Sequence, residues 1–192
     1  METKDLIKLA SNTKIASRKL SVLTDNEKNS ILTNINKNLL KNIDIILKSN
    51  SKDIKNAKAS GKDYAFIDRL TLTEKKIKNM ALAIQNIIEL ENPVGQIIEE
   101  KTLKEEMNLK KITVPLGVLG VIYESRPEIT TDIGCLGIKS GNAVILKGGK
   151  ESINTNVVLE QIIKQSITES GYDENIINLI KSTDRKITSE FL

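Results

Sequence analysis

The 192-residue chain is predicted to be an α/β protein in which a helical N-terminal region leads into a parallel sheet, with a β-hairpin protruding between the two. Three observations predict this. Apolar residues recur with helical period from residue 3 to about residue 90. Two short extended segments then flank a charged turn. Beyond them, strand-like and helix-like stretches alternate to residue 180, the pattern of parallel strands joined by crossover helices.

Leu6, Leu9, Ala10, Ile15, Ala16 and Leu20 form the stripe of a first amphipathic helix. Thr24-Asp25-Asn26-Glu27 has capping-box spacing: a hydroxyl accepts from a free N–H, and a carboxylate three residues on reciprocates. It opens a second helix with the stripe Ile31, Leu32, Ile35, Leu39, Ile43 and Ile46, whose intervening asparagines and lysines are expected to face water. A short helix is predicted over residues 53–60, ending at Gly61. A longer one starts near Thr73, carries Ile77, Met80, Ala81, Ile84 and Ile88 inward, and closes at Asn92-Pro93, because proline disfavours a helical residue before it.

Residues 95–100 and 108–115 read as the strands of a hairpin around a charged turn over 101–106. The run 116–123, Leu-Gly-Val-Leu-Gly-Val-Ile-Tyr, is the least polar in the chain and reads as a strand buried on both faces. Pro127 is placed to start a helix that ends at Lys139. Ser140-Gly141-Asn142 is a turn, 143–147 a second buried strand, 152–170 a helix and 176–180 a third strand.

Composition narrows the function. Histidine is absent, which excludes Ser-His triads and histidine-based zinc sites within this chain. The formal charge of +4 arises from lysines interleaved with acids and so describes a mixed solvated surface, not a nucleic-acid-binding arm. Aromatic residues at 3% leave little for base stacking. The longest mostly apolar stretch, 114–123, is far shorter than the roughly 20 residues of a membrane-spanning helix. The first residues are not expected to act as a signal peptide, and the lone cysteine, Cys135, cannot form an intrachain disulfide. A cytoplasmic location is the expectation.

Ligands of open parallel sheets bind beyond the carboxyl ends of the strands. Two such ends are polar here, Glu124-Ser125-Arg126-Pro127 and Lys147-Gly148-Gly149-Lys150-Glu151-Ser152. Paired glycines followed by a helix N-terminus suit a phosphorylated ligand, with Lys147 adding charge. A Gly-Gly turn between strand and helix is more often plain chain reversal. Neither the G-x-G-x-x-G fingerprint nor a P-loop is present. The Arg126 guanidinium fits either a grip on a carboxylate or phosphate or a structural ion pair at a strand end. Cys135 reads as a small buried hydrophobe beside Ile133, Leu136 and Ile138, not as a nucleophile. Asp68-Arg69 and Glu99-Glu100 read as solvated or locally paired.

The run 114–127, Val-Pro-Leu-Gly-Val-Leu-Gly-Val-Ile-Tyr-Glu-Ser-Arg-Pro, and the run 139–149, Lys-Ser-Gly-Asn-Ala-Val-Ile-Leu-Lys-Gly-Gly, together resemble the glutamate-5-semialdehyde dehydrogenases (gamma-glutamyl phosphate reductases) of the aldehyde dehydrogenase superfamily. The wider superfamily usually carries Pro-Trp-Asn where this chain has Glu-Ser-Arg-Pro. The likeness continues through Asp68-Arg69-Leu70, Asn92-Pro93-Val94-Gly95 and Thr183-Asp184-Arg185. It implies an incomplete Rossmann-like sheet of the aldehyde dehydrogenase type. Residues 1–94 would be the helical part of a cofactor-binding domain, 95–113 a bridging hairpin for subunit association, and 114–192 the α/β part.

The implied activity is NADPH-dependent reduction of L-glutamyl 5-phosphate to L-glutamate 5-semialdehyde in proline biosynthesis. A cysteine thiolate attacks the acyl carbon and the resulting thioester accepts hydride from the nicotinamide. By position, Ile122, Tyr123, Glu124, Ser125, Lys147, Gly148 and Gly149 are expected at the cofactor, with Lys147 reaching the adenosine ribose or its 2′-phosphate, and Arg126 is expected at the acidic substrate. The intact enzyme is expected to be a homo-oligomer without nucleic-acid or membrane partners. The family's catalytic cysteine lies in a later domain, so this chain is expected to be inactive alone, and Cys135 does not match that cysteine. Two alternatives remain open: a non-catalytic nucleotide-binding or assembly module, and another aldehyde or acyl-phosphate dehydrogenase.

Overall fold

The computed structural model of the chain describes residues 2–103 and 107–191. Its five N-terminal helices are α1 (Thr3–Leu20), α2 (Asp25–Lys41), α3 (Ile43–Ala59), α4 (Tyr64–Leu70) and α5 (Glu74–Glu89). The box that opens α2 forms as the sequence predicts. Glu27 N–H donates to Thr24 Oγ1 at 3.3 Å, and Thr24 N–H donates to Glu27 Oε2 at 2.8 Å.

The stripe from Ile31 to Ile46 does not belong to one helix. Asn42 leaves helical geometry at φ −107°, ψ 20° and turns the chain, so that Ile43 and Ile46 lie on α3. The short helix expected at 53–60 is the second half of that same 17-residue α3. Its end beyond Ser60 is as expected, with Gly61 at φ +70°, where a glycine is the least strained residue. The seven-residue α4, capped by Asp63 Oδ1 accepting from Phe66 N–H at 2.7 Å, was not expected from the sequence.

Not all the polar residues of α2 face water. Lys28, Asn36 and Asn38 are buried. The Lys28 ammonium donates to Asn92 Oδ1 (2.7 Å) and to the Lys139 carbonyl (3.0 Å), and the Lys139 ammonium donates to Asn29 Oδ1 (2.9 Å) and the Ile88 carbonyl (3.0 Å) beside Asp25. Buried ammonium groups are tolerated because each is surrounded by acceptors. The network pins α2 and the end of α5 to the end of the helix between the two sheet motifs.

Strands β1 (Ile97–Thr102) and β2 (Asn108–Ile112) pair antiparallel as a hairpin whose residues are all exposed. Leu103 N–H donates to the Met107 carbonyl at 2.8 Å. Of the charged turn predicted over 101–106, residues 104–106 lie outside the described residues.

Then come β3 (Val118–Ile122), α6 (Glu128–Lys139), β4 (Ala143–Lys147), α7 (Ile153–Glu169), β5 (Ile177–Leu179) and α8 (Arg185–Phe191). The three strands are parallel in the order β3-β4-β5. Val144, Leu146, Ile177 and Leu179 join Cys135, Ile138, Leu159 and Ile163 in one core with the stripes of α2 and α5. On the opposite sheet face Ile145 and Ile180 meet Leu6 and Ile187, so α1 and α8 close that side. β4 is buried throughout. β3 is not the doubly buried strand predicted: it spans five residues, is only partly covered, and leaves Ile122 44% exposed with Leu116 just before it at 82%. The reason is position, since β3 lies at one side of the sheet with a single neighbour.

Candidate functional site at the ends of two parallel strands

The two polar motifs meet. Ile122 stands opposite Lys147 across the β3–β4 ladder, and Tyr123 N–H donates to the Lys147 carbonyl at 3.1 Å. Both motifs therefore emerge from the same edge of the sheet, where a parallel arrangement aims the loops in one direction.

Each predicted residue has a definite place in this junction. Ile122 and Glu124 face solvent, whereas Tyr123 and Ser125 turn inward. The Tyr123 hydroxyl lies 2.7 Å from Thr130 Oγ1, which in turn donates to Asn156 Oδ1 at 3.2 Å, and Asn156 Nδ2 donates to Ser152 Oγ at 3.0 Å. Burial pushes the phenol up to about 12, against the opposing pull of the Thr130 hydrogen bond. Ser125 Oγ donates to Glu151 Oε2 (3.0 Å), and Glu151 pairs with Lys62 (2.9 Å). Burial raises the Glu151 carboxyl, but the hydrogen bonds from Lys62, its own backbone and Ser125 outweigh burial and hold it below its ordinary value.

Gly148 and Gly149 have a packing role. A Cβ on Gly148 would lie 2.3 Å from Asn156 Nδ2 and 2.9 Å from the Tyr123 ring, and one on Gly149 would lie 2.2 Å from Ser125 Oγ. The space that the glycines leave open is filled by the facing loop, so their smallness lets the two strand ends interlock.

The N-terminus of α7 also differs from expectation. Its N–H groups are not free: Asn154 and Thr155 N–H donate to the Asp53 carboxylate at 3.2 and 2.8 Å, and their side chains donate to it at 2.7 and 2.6 Å. Asp53, buried on α3, occupies the place an anion would take at a helix start. The residues 150–152 before α7 form a 3₁₀ turn.

Lys147 remains. It is 7% exposed, its ammonium donates to the Gly148 carbonyl at 3.2 Å, and no described carboxylate pairs with it. Burial lowers its pKa. A cation so placed at a strand end has capacity for a ligand's hydroxyl or phosphate oxygen. Arg126 is half exposed and lies 3.8 Å from Glu124, a loose surface pair that leaves its fork available. Beside the junction, a cavity of about 240 Å³ is lined by Asp53, Lys150, Glu151, Asn154 and Thr183, among others, which brings the region after β5 to the same edge.

Cys135 is buried with Ile138, and burial pushes its thiol far above the ordinary range. Leu136, expected beside it, instead faces solvent. Asp53, Thr130 and Asn156 were missed by sequence reasoning. Asp53 comes from the interior of α3, far from both motifs in sequence, while Thr130 and Asn156 lie just past the motifs in the first turns of α6 and α7, where no local pattern assigns them a partner. Glu151 sat within the second motif but without an assigned partner, because Lys62 is 89 positions away.

No protein-family model matches the chain. It is 44% identical over 187 residues to the gamma-glutamyl phosphate reductase of Clostridium acetobutylicum, a match covering 97% of this chain and 45% of that protein. It superposes on the crystal structure of the gamma-glutamyl phosphate reductase from Thermotoga maritima with a TM-score of 0.95 and 32% identity, over 97% of this chain and 45% of that one. Over nearly its whole length the chain is similar to gamma-glutamyl phosphate reductases. It spans a little under half the length of the relatives it matches. An acetylating aldehyde dehydrogenase from Geobacillus thermoglucosidasius, 14% identical, superposes with a TM-score of 0.74 over 98% of this chain and 39% of its own, and so shares the fold. Among the described residues no helix is long and apolar enough to cross a membrane.

Proposed function

We propose that this chain supplies the cofactor-binding floor for NADPH-dependent reduction of L-glutamyl 5-phosphate to L-glutamate 5-semialdehyde, a step of proline biosynthesis in the cytoplasm, and that it contributes no nucleophile. The observation that carries the reading is the meeting of the Tyr123–Arg126 and Lys147–Gly149 segments at one strand-end junction in a chain similar to these reductases.

The residues present fit a nicotinamide dinucleotide in one respect and not in another. Lys147, a buried cation bonded among the described residues only to a neighbouring carbonyl, suits the adenosine ribose or its 2′-phosphate. The start of α7 does not suit the pyrophosphate, because the Asp53 carboxylate already accepts from the Asn154 and Thr155 N–H groups there. When bound, the cofactor supplies hydride. The chain's own part is to orient it: Tyr123 and Ser125, locked by Thr130 and Glu151, hold the β3 loop, and Arg126 is available to the carboxylate of an acidic substrate. The β1–β2 hairpin, which exposes Ile97, Ile98, Leu109 and Ile112, is the proposed element of subunit association in the intact enzyme.

Calorimetric titration with NADPH tests the cofactor reading. Lys147→Ala is expected to weaken binding at least tenfold, about 1.4 kcal/mol, with the fold unchanged by circular dichroism. Equal affinity for both proteins would sink the assignment of Lys147. The chain alone is expected to give no turnover in a coupled NADPH and phosphate assay, and turnover that survives Cys135→Ala would overturn the absence of a nucleophile.

A further inference from the structure

No residue of either strand of the β1–β2 hairpin is buried, so packing along its length does not set its direction. That falls to its root, where one segment enters from α5 through Asn92 and another leaves through Thr113 to Gly117. The two segments are bonded to each other. The Gly95 N–H donates to the Thr113 carbonyl (2.9 Å), the Thr113 N–H to the Gln96 carbonyl (3.0 Å), and the Thr113 hydroxyl to the Pro93 carbonyl (2.6 Å). These bonds join root and hairpin into one piece without tying that piece to the body.

Each segment is bonded to the body separately. On the leaving side, the Gly117 N–H donates to Asn142 Oδ1 at 2.8 Å, and Asn142 belongs to the buried turn that follows Lys139. On the entering side, the Lys28 ammonium donates to Asn92 Oδ1 at 2.7 Å, and the same oxygen accepts from the Val94 N–H at 3.2 Å. Lys28 also donates to the Lys139 carbonyl at 3.0 Å. One ammonium therefore clips the segment entering the hairpin to the residue just before the turn that holds the segment leaving it. Gly141, at φ +74°, lets that turn approach both segments: a Cβ there would lie 2.8 Å from Pro115 and 3.6 Å from Val94.

A lysine is a costly residue for this place. Lys28 is 1% exposed, and burial lowers its pKa against the opposing pull of Asp25. An apolar side chain of similar length would fill the space without desolvating a charge. What the ammonium adds is direction, through two charge-assisted hydrogen bonds that converge on the root.

We propose that Lys28 is the positioning residue that fixes the direction of the hairpin relative to the sheet, by clasping Asn92 to the Lys139 carbonyl. Lys28 thereby decides which way Ile97, Ile98, Leu109 and Ile112 are presented, from a place outside any contact that they make. That consequence rests on the hairpin's proposed part in subunit association, whereas the direction of the hairpin does not.

Residual dipolar couplings of the backbone amides, measured on this chain by NMR, read that direction. In the wild type the amides of the hairpin and of β3–β5 are expected to fit one alignment tensor. Lys28→Met is expected to keep the circular dichroism and the sheet couplings while the alignment of the hairpin falls about twofold, as for a segment freed to move. Asn92→Ala removes the same bond from its other side and is expected to do likewise. Lys139→Met controls for stability alone. It removes the neighbouring buried ammonium but keeps the carbonyl that Lys28 uses, so it is expected to lower the denaturant midpoint and leave the hairpin aligned. The proposal is overturned if Lys28→Met leaves the hairpin aligned, if Lys139→Met loosens it equally, or if the wild-type hairpin does not share the tensor of the sheet. Should Lys28→Met fail to fold, Asn92→Ala decides. A hairpin that takes no part in association would remove the consequence and leave these couplings as expected.

Discussion

Asp53 and Tyr123 show how much of this molecule depends on single buried polar side chains. Asp53 satisfies four donors at the start of α7, and removing it strands buried N–H groups. Asp53→Ala is expected to cost about 3 kcal/mol, read as a lower denaturant midpoint at an unchanged slope. Tyr123 carries a pH signature. Its folded-state pKa, about 12, lies above its ordinary value of 10.0, so the unfolded chain loses the proton first. The stability it contributes is complete below pH 10 and is lost as pH rises through 12. The loss amounts to about 2–3 kcal/mol, and Tyr123→Phe should lack this component when melts at pH 9 and pH 12 are compared with those of the wild type.

At the scale of the elements, Gly149→Ala forces a methyl into Ser125 Oγ and the Ser125 backbone N at 2.9 Å. Backbone cannot swing aside as a side chain can, so the two loops must separate. The expected cost is about 1–3 kcal/mol, with NADPH affinity falling alongside stability. Much of the element structure was legible beforehand. The capping box at Thr24, the stop at Gly61, the hairpin, and the strand-helix alternation after residue 114 follow from local chemistry. The break at Asn42 was not legible, because the apolar spacing continues in phase on both sides of it: Leu39, Ile43 and Ile46 are all inward whichever helix carries them. The α7 start was misread for a related reason. A helix N-terminus announces itself in sequence, but the carboxylate that fills it comes from α3, about a hundred residues earlier. The meeting of the Tyr123 and Lys147 motifs was legible, since parallel strands must bring their ends to one edge.

Across the whole molecule, the helical N-terminal region and the sheet share one core, in which Ile31, Leu39 and Ile84 pack in the same cluster as Val144 and Leu179. The Lys28–Lys139 network crosses the same boundary. One cooperative unfolding transition is therefore expected, with helical circular dichroism and tyrosine fluorescence changing together; two separated transitions would mean that the regions are independent folding units. The doubly buried strand predicted for 116–123 is the instructive miss at this scale. Hydropathy reports what a strand is suited to touch, and the fold of these residues leaves part of that demand unmet.

The interlock of Gly148 with Tyr123 and Asn156, and of Gly149 with Ser125, also bears on how such a site can change over generations. A larger residue at either glycine is acceptable only where the opposing loop has first become smaller, so the path to altered specificity runs through paired substitutions in a fixed order. Libraries that vary Gly148 or Gly149 alone will return mostly destabilised chains, and those that vary position 149 together with position 125 will find the permitted routes.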